Sequence, residues 1–164
     1  MPLMFHWPSR IEPAVSTTPA SHLDIMPTLA DFLEAPAHPS FQGRSLVEDE
    51  PPERRNQRAI YMNNQGMRSA DAIVCWPYKL IKDRQKRRPE LYDLERDPEE
   101  RYDLYSKQRQ RASRLKKILR AQLRAQLEYH HPKHKELRKE RYAPRMLGCD
   151  ASERHTVARA GQSR

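Results

Sequence analysis

The stretch YKLIKDRQKRRPELYDLERDPEE, residues 78–100, decides the fold class of this chain. Apolar and polar residues alternate in 78–82 and again in 90–94, as they do in strands with one buried face. Two further strand candidates lie upstream, at 58–62 and 70–76. Because these stretches are short and turn residues separate them, they predict a small antiparallel sheet of three to four strands.

Residues 107–129, downstream of these strands, contain neither proline nor glycine. Their leucine and isoleucine residues fall on one helical face, with arginine and lysine around the rest, which predicts an amphipathic helix of about six turns. The apolar stripe consists of Leu115, Ile118, Leu119, Leu123 and Leu127. Since such a stripe needs an apolar surface to pack on, we expect the helix to lie against the sheet in an α+β fold.

The first part of the chain is punctuated by proline and predicts a strand followed by a helix. Residues 3–7 form an apolar strand candidate that ends at Pro8. The helix begins at Ser21 to Asp24, and Asp24 is interpreted as its N-cap rather than as a metal ligand. The patterns divide the chain into a strand–helix segment at 1–46, a linker at 47–57, a sheet-and-helix subdomain at 58–129 and a basic tail at 130–164, which we expect to be disordered.

Positive charge is concentrated in the second half of the chain. The net charge is +9, and residues 84–164 contain 23 Lys and Arg against 12 Asp and Glu. A basic module formed by the helix 107–129 and the tail could bind nucleic acid or another anionic surface, which is our alternative function. A solvated outer face is the more ordinary interpretation, because no aromatic side chains alternate with these cations to stack on bases.

Length and apolar content limit what else the chain can be. No apolar run approaches the roughly 18–20 residues needed to span a bilayer. The first residues lack the charged and apolar regions of a signal peptide. Neither observation identifies a compartment.

The cysteines and histidines give weak signals for chemistry. Cys75 and Cys149 form neither a CxxC motif nor a metal-spaced group, and we expect two free thiols rather than a disulfide. His130, His131 and His134 suggest a metal site by composition. A proline interrupts the helix between them, however, and no acidic or cysteine partner follows at ligand spacing, which favours a solvated tail.

Five segments, in order, match the pattern of one protein family. They are PLMFHWPSRI at 2–11, SHLDIMPTL at 21–29, FQGRSL at 41–46, YKLI at 78–81 and ELYDLERDPEE at 90–100. They resemble VPLIIRWPGRI, SHVDLMPTL, LQGRSL and WKLI…ELYDLENDPGE in the C-terminal part of the sulfatases, which belong to the alkaline-phosphatase-like superfamily. The resemblance covers residues 1–127, with departures at 69–77 and after Pro132.

The resemblance implies that this chain is part of a larger sulfatase-like α/β fold. It also implies that the catalytic groups lie in another part of that fold. Sulfatases hydrolyse sulfuric esters with a formylglycine made from the cysteine of C-x-P-S/A-R and with Ca²⁺ held by Asp and Asn, and the family places these groups upstream of the first segment. The sequence from His6 to Arg10 fits that motif only with His6 in the cysteine position, and a histidine cannot become formylglycine. We therefore expect no catalytic and no metal-binding residue here, and no hydrolysis by this chain alone.

Three residues are candidates for the edge of a substrate pocket. The family places the helix that carries His22 near the catalytic end, although a local hydrogen bond is the more ordinary role of a histidine there. Trp76 and Tyr78 could stack on a sugar or aryl group, or could belong to the core and rim of the sheet.

The resemblance also implies partners. A missing catalytic half, or a second copy of the chain, would cover apolar residues that are otherwise exposed. These are Phe5, Trp7, Leu29 and Phe32. A sulfated small molecule or glycan would bind only to the complete enzyme, and we do not expect nucleic acid. Members of the family are often exported or lysosomal.

Overall fold

The computed structural model describes residues 3–47, 57–64, 69–131 and 147–149. Its elements are a 3-10 helix at His22–Asp24, α1 at Ile25–Phe32, β1 at Ala59–Asn64, β2 at Ala70–Cys75, β3 at Tyr78–Asp83, β4 at Glu90–Asp93 and α2 at Arg109–His130. A helix precedes the strands and a longer helix follows them, as predicted. Among the described residues, no helix combines the length and the apolar character that crossing a membrane requires.

The strands form one antiparallel sheet in the order β1-β2-β3-β4. Ile73 lies opposite Leu80, and Leu80 lies opposite Leu91. Partners in register share a face of a sheet, so these side chains form an apolar row across three strands. The predicted α+β architecture is confirmed, with four strands in the sheet.

Helix α2 covers that apolar row and completes the core. The core cluster includes Ala59, Ile73, Leu80, Leu91, Ala112, Leu115, Ile118 and Leu119. The predicted stripe is wrong at one position, since Leu127 is 72% exposed. Each step of four residues overshoots a full turn by about 40°, so the stripe has rotated off the sheet by Leu127. Gln122 occupies the buried face in the same region.

The predicted strand at residues 3–7 does not form. The backbone N–H of Arg10 donates to the carbonyl of Trp7 at 2.9 Å, which closes a turn. A strand needs a neighbour to pair with, and no described strand lies beside this segment. Phe5 instead packs edge-to-face on Phe32 of α1, with ring centroids 5.7 Å apart.

Apolar side chains of the first segment are only partly covered. Phe5, Trp7 and Phe32 are half-buried rather than exposed, whereas Leu29 is exposed. The largest exposed apolar side chains of this helical region are Leu23, Met26, Leu29 and Leu33, which we call the α1 apolar face. Other described residues leave these apolar side chains at least 37% exposed.

The expectation of free thiols is wrong, because Cys75 and Cys149 form a disulfide. Cys75 ends β2, and Cys149 reaches it because its backbone N–H donates to Gln57 O at 2.7 Å, just before β1. The two cysteines are 74 residues apart in the sequence, so their spacing does not predict that they meet. The predicted disorder of the tail lies mostly outside the described residues. The described residues 147–149 of this tail are ordered, and we call them the tail clasp.

Further contacts hold the tail clasp on the subdomain. Gly148 forms a β-bridge with Arg58. The Leu147 N–H donates to Gln122 Oε1 at 3.2 Å, and Arg114 Nη2 donates to the carbonyl of Cys149 at 3.2 Å. Both α2 and the beginning of β1 therefore bind this short piece of the tail.

Candidate functional site

The local sequence SHLD begins the first helix through a reciprocal pair of hydrogen bonds. The Leu23 N–H donates to Ser21 Oγ at 3.4 Å, and the Ser21 N–H donates to Asp24 Oδ2 at 2.6 Å. This arrangement is a capping box, with Ser21 as the N-cap. Asp24 is the N-cap residue of α1, as interpreted, but its carboxylate makes no capping bond to that helix and binds back to Ser21, the N-cap of the 3-10 helix.

Asp24 has a second role as a fully buried hub, which we call the Asp24 junction. Its Oδ1 accepts a hydrogen bond from the backbone N–H of Arg44 at 3.0 Å and forms an ion pair with the guanidinium of Arg58. Arg58 also donates to the carbonyl of Pro19 at 3.4 Å. One carboxylate thus joins the helix, the turn at 41–46 and the residue that precedes β1.

Two small residues allow these pieces to approach one another. Thr28 Oγ1 donates to the carbonyl of Asp24 at 2.6 Å and accepts from the Leu46 N–H at 3.1 Å. At Gly43, an added Cβ would lie 2.1 Å from the carbonyl oxygen of Leu23. The glycine of the QGRS segment is therefore required by close backbone approach, which no larger residue permits.

The junction places the 3-10 helix at one end of the sheet. Ala59 lies opposite Cys75 in the β1–β2 register, so Arg58 lies at the end where the Trp76 turn connects β2 to β3. His22 is exposed on the helix that Arg58 anchors there. The structure therefore brings the segments of His22 and Trp76 to the same end of the sheet.

Trp76 and Tyr78 differ in their surroundings. Trp76 is 36% exposed in the β2–β3 turn. Tyr78 is half-buried beside the core, and the guanidinium of Arg111 lies 3.8 Å from its ring centroid. A cation at this distance occupies one face of the ring. Trp76 consequently offers more aromatic surface to a ligand than Tyr78 does.

A second polar cluster lies on β1 and β2, toward the opposite end of the sheet. Asp71 is buried and accepts hydrogen bonds from Tyr61 Oη at 2.9 Å and Asn63 Nδ2 at 2.7 Å, with Arg84 Nη2 3.7 Å away. Burial first, and then the bond to Asp71 and its negative charge, raises the pKa of Tyr61 to about 12. The sequence signal for this cluster was an aspartate within the otherwise apolar strand ADAIVC.

The described residues do not fit the calcium ion and formylglycine that the sulfatase resemblance implies. Both cysteines are joined in the disulfide, so neither is available for conversion to formylglycine. Both carboxylate oxygens of Asp24 already accept hydrogen bonds. Across the described ranges, no three His, Cys, Asp or Glu side chains cluster closely enough to hold a metal ion. His130 and His131 are exposed at the end of α2, and His134 lies outside the described residues.

Comparison with solved structures gives the fold. BT4656, whose structure contains its substrate D-glucosamine-2-N,6-O-disulfate, is 22% identical over 68% of this chain and 25% of its own, with a TM-score of 0.51. BT1596, a 2-O GAG sulfatase, is 21% identical over 74% of this chain and 27% of its own, with a TM-score of 0.40. The protein BT33336S-sulf, from a Bacteroides thetaiotaomicron locus for glycosaminoglycan metabolism, is 20% identical over 60% of this chain and 24% of its own, with a TM-score of 0.43. This chain spans about a quarter of the length of these proteins.

The family follows from the sequence pattern itself. No curated protein matches the chain. The family model described as N-sulphoglucosamine sulphohydrolase, C-terminal, matches residues 1–131, which include the Asp24 junction, the sheet and helix α2. The chain therefore belongs to this family and is a C-terminal portion of a sulfatase.

Proposed function

We propose that this chain is the C-terminal segment of a hydrolase of sulfuric esters whose nucleophile and calcium ligands lie outside these 164 residues, and that the chain has no hydrolytic activity alone. The observation that carries the proposal is the Asp24 junction. It binds the SHLD helix, the QGRS turn and β1 into one unit, yet every group in it serves structure. Hydrolysis of a sulfate ester needs a nucleophile and positive charge at fixed positions, and the described residues do not fit those roles.

The substrate class that we propose is a sulfated glucosamine or a glycan that contains it. The family description names N-sulphoglucosamine, and the structure of BT4656 contains a disulfated glucosamine. His22 and Trp76 lie on segments at one end of the sheet and would contribute to the edge of the pocket. The imidazole can donate a hydrogen bond to a sulfate oxygen, and the indole can stack on a sugar ring. Tyr78, held under Arg111, would support the turn that carries Trp76.

The partner that we propose is the catalytic portion, seated on the α1 apolar face. Met26 is 58% exposed and Leu33 is 66% exposed, and burying such side chains against another surface is favourable. A second copy of the chain is the competing occupant. A monomeric chain that binds the catalytic portion, and a loss of that binding in M26D/L33D, would support the proposal, whereas a stable homodimer would contradict it.

The test of activity compares the chain alone with the chain joined to a catalytic portion. Reading upstream of residue 1 for a C-x-P-S/A-R motif identifies that portion. With Ca²⁺ and a sulfated glucosamine, we expect sulfate release only from the joined protein. Hydrolysis by the isolated chain that a chelator abolishes would overturn the proposal.

The pocket residues are tested in the joined protein. We expect W76A to raise KM more than it lowers kcat, because stacking contributes to binding in both the ground state and the transition state. Tyr102→Ala, which removes an aromatic ring that is 72% exposed elsewhere on the surface, is the matched control. Equal effects of the two variants would remove Trp76 from the pocket.

A further inference from the structure

Helix α2 carries an unusually uniform positive charge on its outer side. Residues 104–127 contain eight Lys and Arg and no Asp or Glu. Five of these cations form what we call the basic ridge. They are Arg109, Lys116, Lys117, Arg120 and Arg124. At 100° per residue they fall within a sector about 100° wide, and from first to last they span about 22 Å along the helix axis.

The ridge cations are available to a ligand. Four of the five are exposed, and Lys116 is half-buried. Within the described part of the chain, no ion pair involves any of them. Two other arginines of the helix differ in this respect, because Arg111 stacks on Tyr78 and Arg114 binds the carbonyl of Cys149. The helix therefore separates its cations into a structural set that faces the sheet and a solvent-facing set.

The ridge destabilises the isolated helix. Lys116, Arg120 and Arg124 follow one another at intervals of four residues, and like charges at this spacing repel. An acidic neighbour at this spacing would relieve the repulsion; Glu128 follows Arg124 by four residues, but Lys116 and Arg120 have no acidic residue four positions away on either side. A ligand with regularly spaced negative charges would also relieve this repulsion between the cations, and that relief would strengthen its binding.

Two observations decide which polyanion fits. The ridge carries no aromatic side chain, so it lacks the stacking surface that proteins use for single-stranded nucleic acid. The Cys75–Cys149 disulfide indicates an oxidising compartment, because disulfides persist outside the reducing cytosol. Nucleic acids are concentrated in the reducing compartments of a cell, whereas sulfated polysaccharides are found outside them. We propose that the basic ridge binds the sulfate groups of a polymeric sulfated glycan, an inference that rests on the proposed function for its choice of ligand class.

The experiment measures binding directly on the oxidised full chain, without hydrolysis. Fluorescence anisotropy with a labelled heparin octasaccharide is recorded at several salt concentrations. The ridge variant is K117Q/R120Q/R124Q. The matched control is K82Q/R87Q/R96Q, which removes three exposed positive charges elsewhere on the described surface. It therefore has the same net charge as the ridge variant. Circular dichroism verifies that both variants fold.

We expect the ridge variant to bind about tenfold or more weakly, with the slope of log Kd against log salt reduced by about three, one for each lost ionic contact. The control should remain within about twofold of the unmodified chain. Equal losses in both variants, undiminished binding of a desulfated octasaccharide, or equally tight binding of duplex DNA would each overturn the proposal. If the chain binds the octasaccharide but the protein joined to its catalytic portion releases no sulfate, the proposed function is refuted and the proposal for the basic ridge still holds.

Discussion

Removal of Arg58 from the Asp24 junction tests the central structural argument. The side chain of Arg58 is 11% exposed and that of Asp24 is fully buried, so their ion pair lies in a low-dielectric environment. Breaking such a pair from one side costs about 3–5 kcal/mol, because a buried charge is left uncompensated. Arg58→Met retains most of the apolar stem. The N–H groups of Ser21 and Arg44 still bind the carboxylate, which favours the lower end of that range, about 3 kcal/mol.

Urea unfolding followed by circular dichroism measures the loss. The control is Arg101→Met, which removes the ion pair with Glu99. In that pair the side chain of Arg101 is 68% exposed and that of Glu99 is 64% exposed. We expect that control to cost less than about 1 kcal/mol. In the double variant D24N/R58M no buried charge remains alone, so its cost should fall below the sum of the single costs by at least about 1 kcal/mol. Additive costs, or an Arg58→Met loss no larger than that of the control, would refute the reasoning.

Three further predictions concern the disulfide, the Asp71 cluster and Gly43. Reduction of the disulfide, or Cys149→Ser, should lower the free energy of unfolding by about 2–4 kcal/mol, since the crosslink joins residues 74 apart; two alkylatable thiols in the non-reduced protein would contradict its presence. Tyr61 should ionise near pH 12. Because its folded pKa exceeds the ordinary value of 10.0, the free energy of unfolding should fall as the pH rises from about 10 to 12. An ultraviolet titration in which Asp71→Asn leaves the pKa of Tyr61 unchanged would exclude the carboxylate as a cause. Gly43→Ala should cost about 1–3 kcal/mol through overlap with the Leu23 carbonyl, and an unchanged midpoint in urea would show that the turn can move aside.

The parts of the fold that were predictable are those with local periodicity. The sheet and α2 could be located because alternation and the 3.6-residue repeat depend only on neighbouring residues. The segment at 3–7 has the same apolar character as a strand, but pairing depends on a second strand that no local pattern reveals. Leu127 was misplaced because a stripe read in steps of four residues slowly rotates around the helix.

The site was harder to predict because its contacts are long-range. Asp24 receives the Arg44 N–H from 20 residues away and the Arg58 guanidinium from 34 residues away. The SHLD sequence alone indicates a cap, and only the folded chain shows the hub. The disulfide was missed for the same reason, since no spacing rule relates Cys75 to a cysteine beyond the last helix. The QGRS glycine was a usable signal, because a glycine beside two polar residues often marks close backbone approach.

The outer edge of β4 and the residues just before β1 both bind chain that is not itself a strand. At β4, the Leu104 N–H donates to the carbonyl of Leu91 at 2.7 Å, and Asp103 accepts from the Leu91 N–H at 3.1 Å. Just before β1, the tail clasp binds Arg58 through a β-bridge of Gly148 and binds Gln57 through the Cys149 N–H. Unpaired strand edges are templates for intermolecular pairing and aggregation. The chain at β4 is held by hydrogen bonds, whereas the tail clasp is also attached through the Cys75–Cys149 disulfide. In a reducing cytosol the tail clasp would lose its covalent attachment, which would leave the backbone groups of Gln57 and Arg58 available to pair with another chain. Recombinant production would therefore favour export to the periplasm.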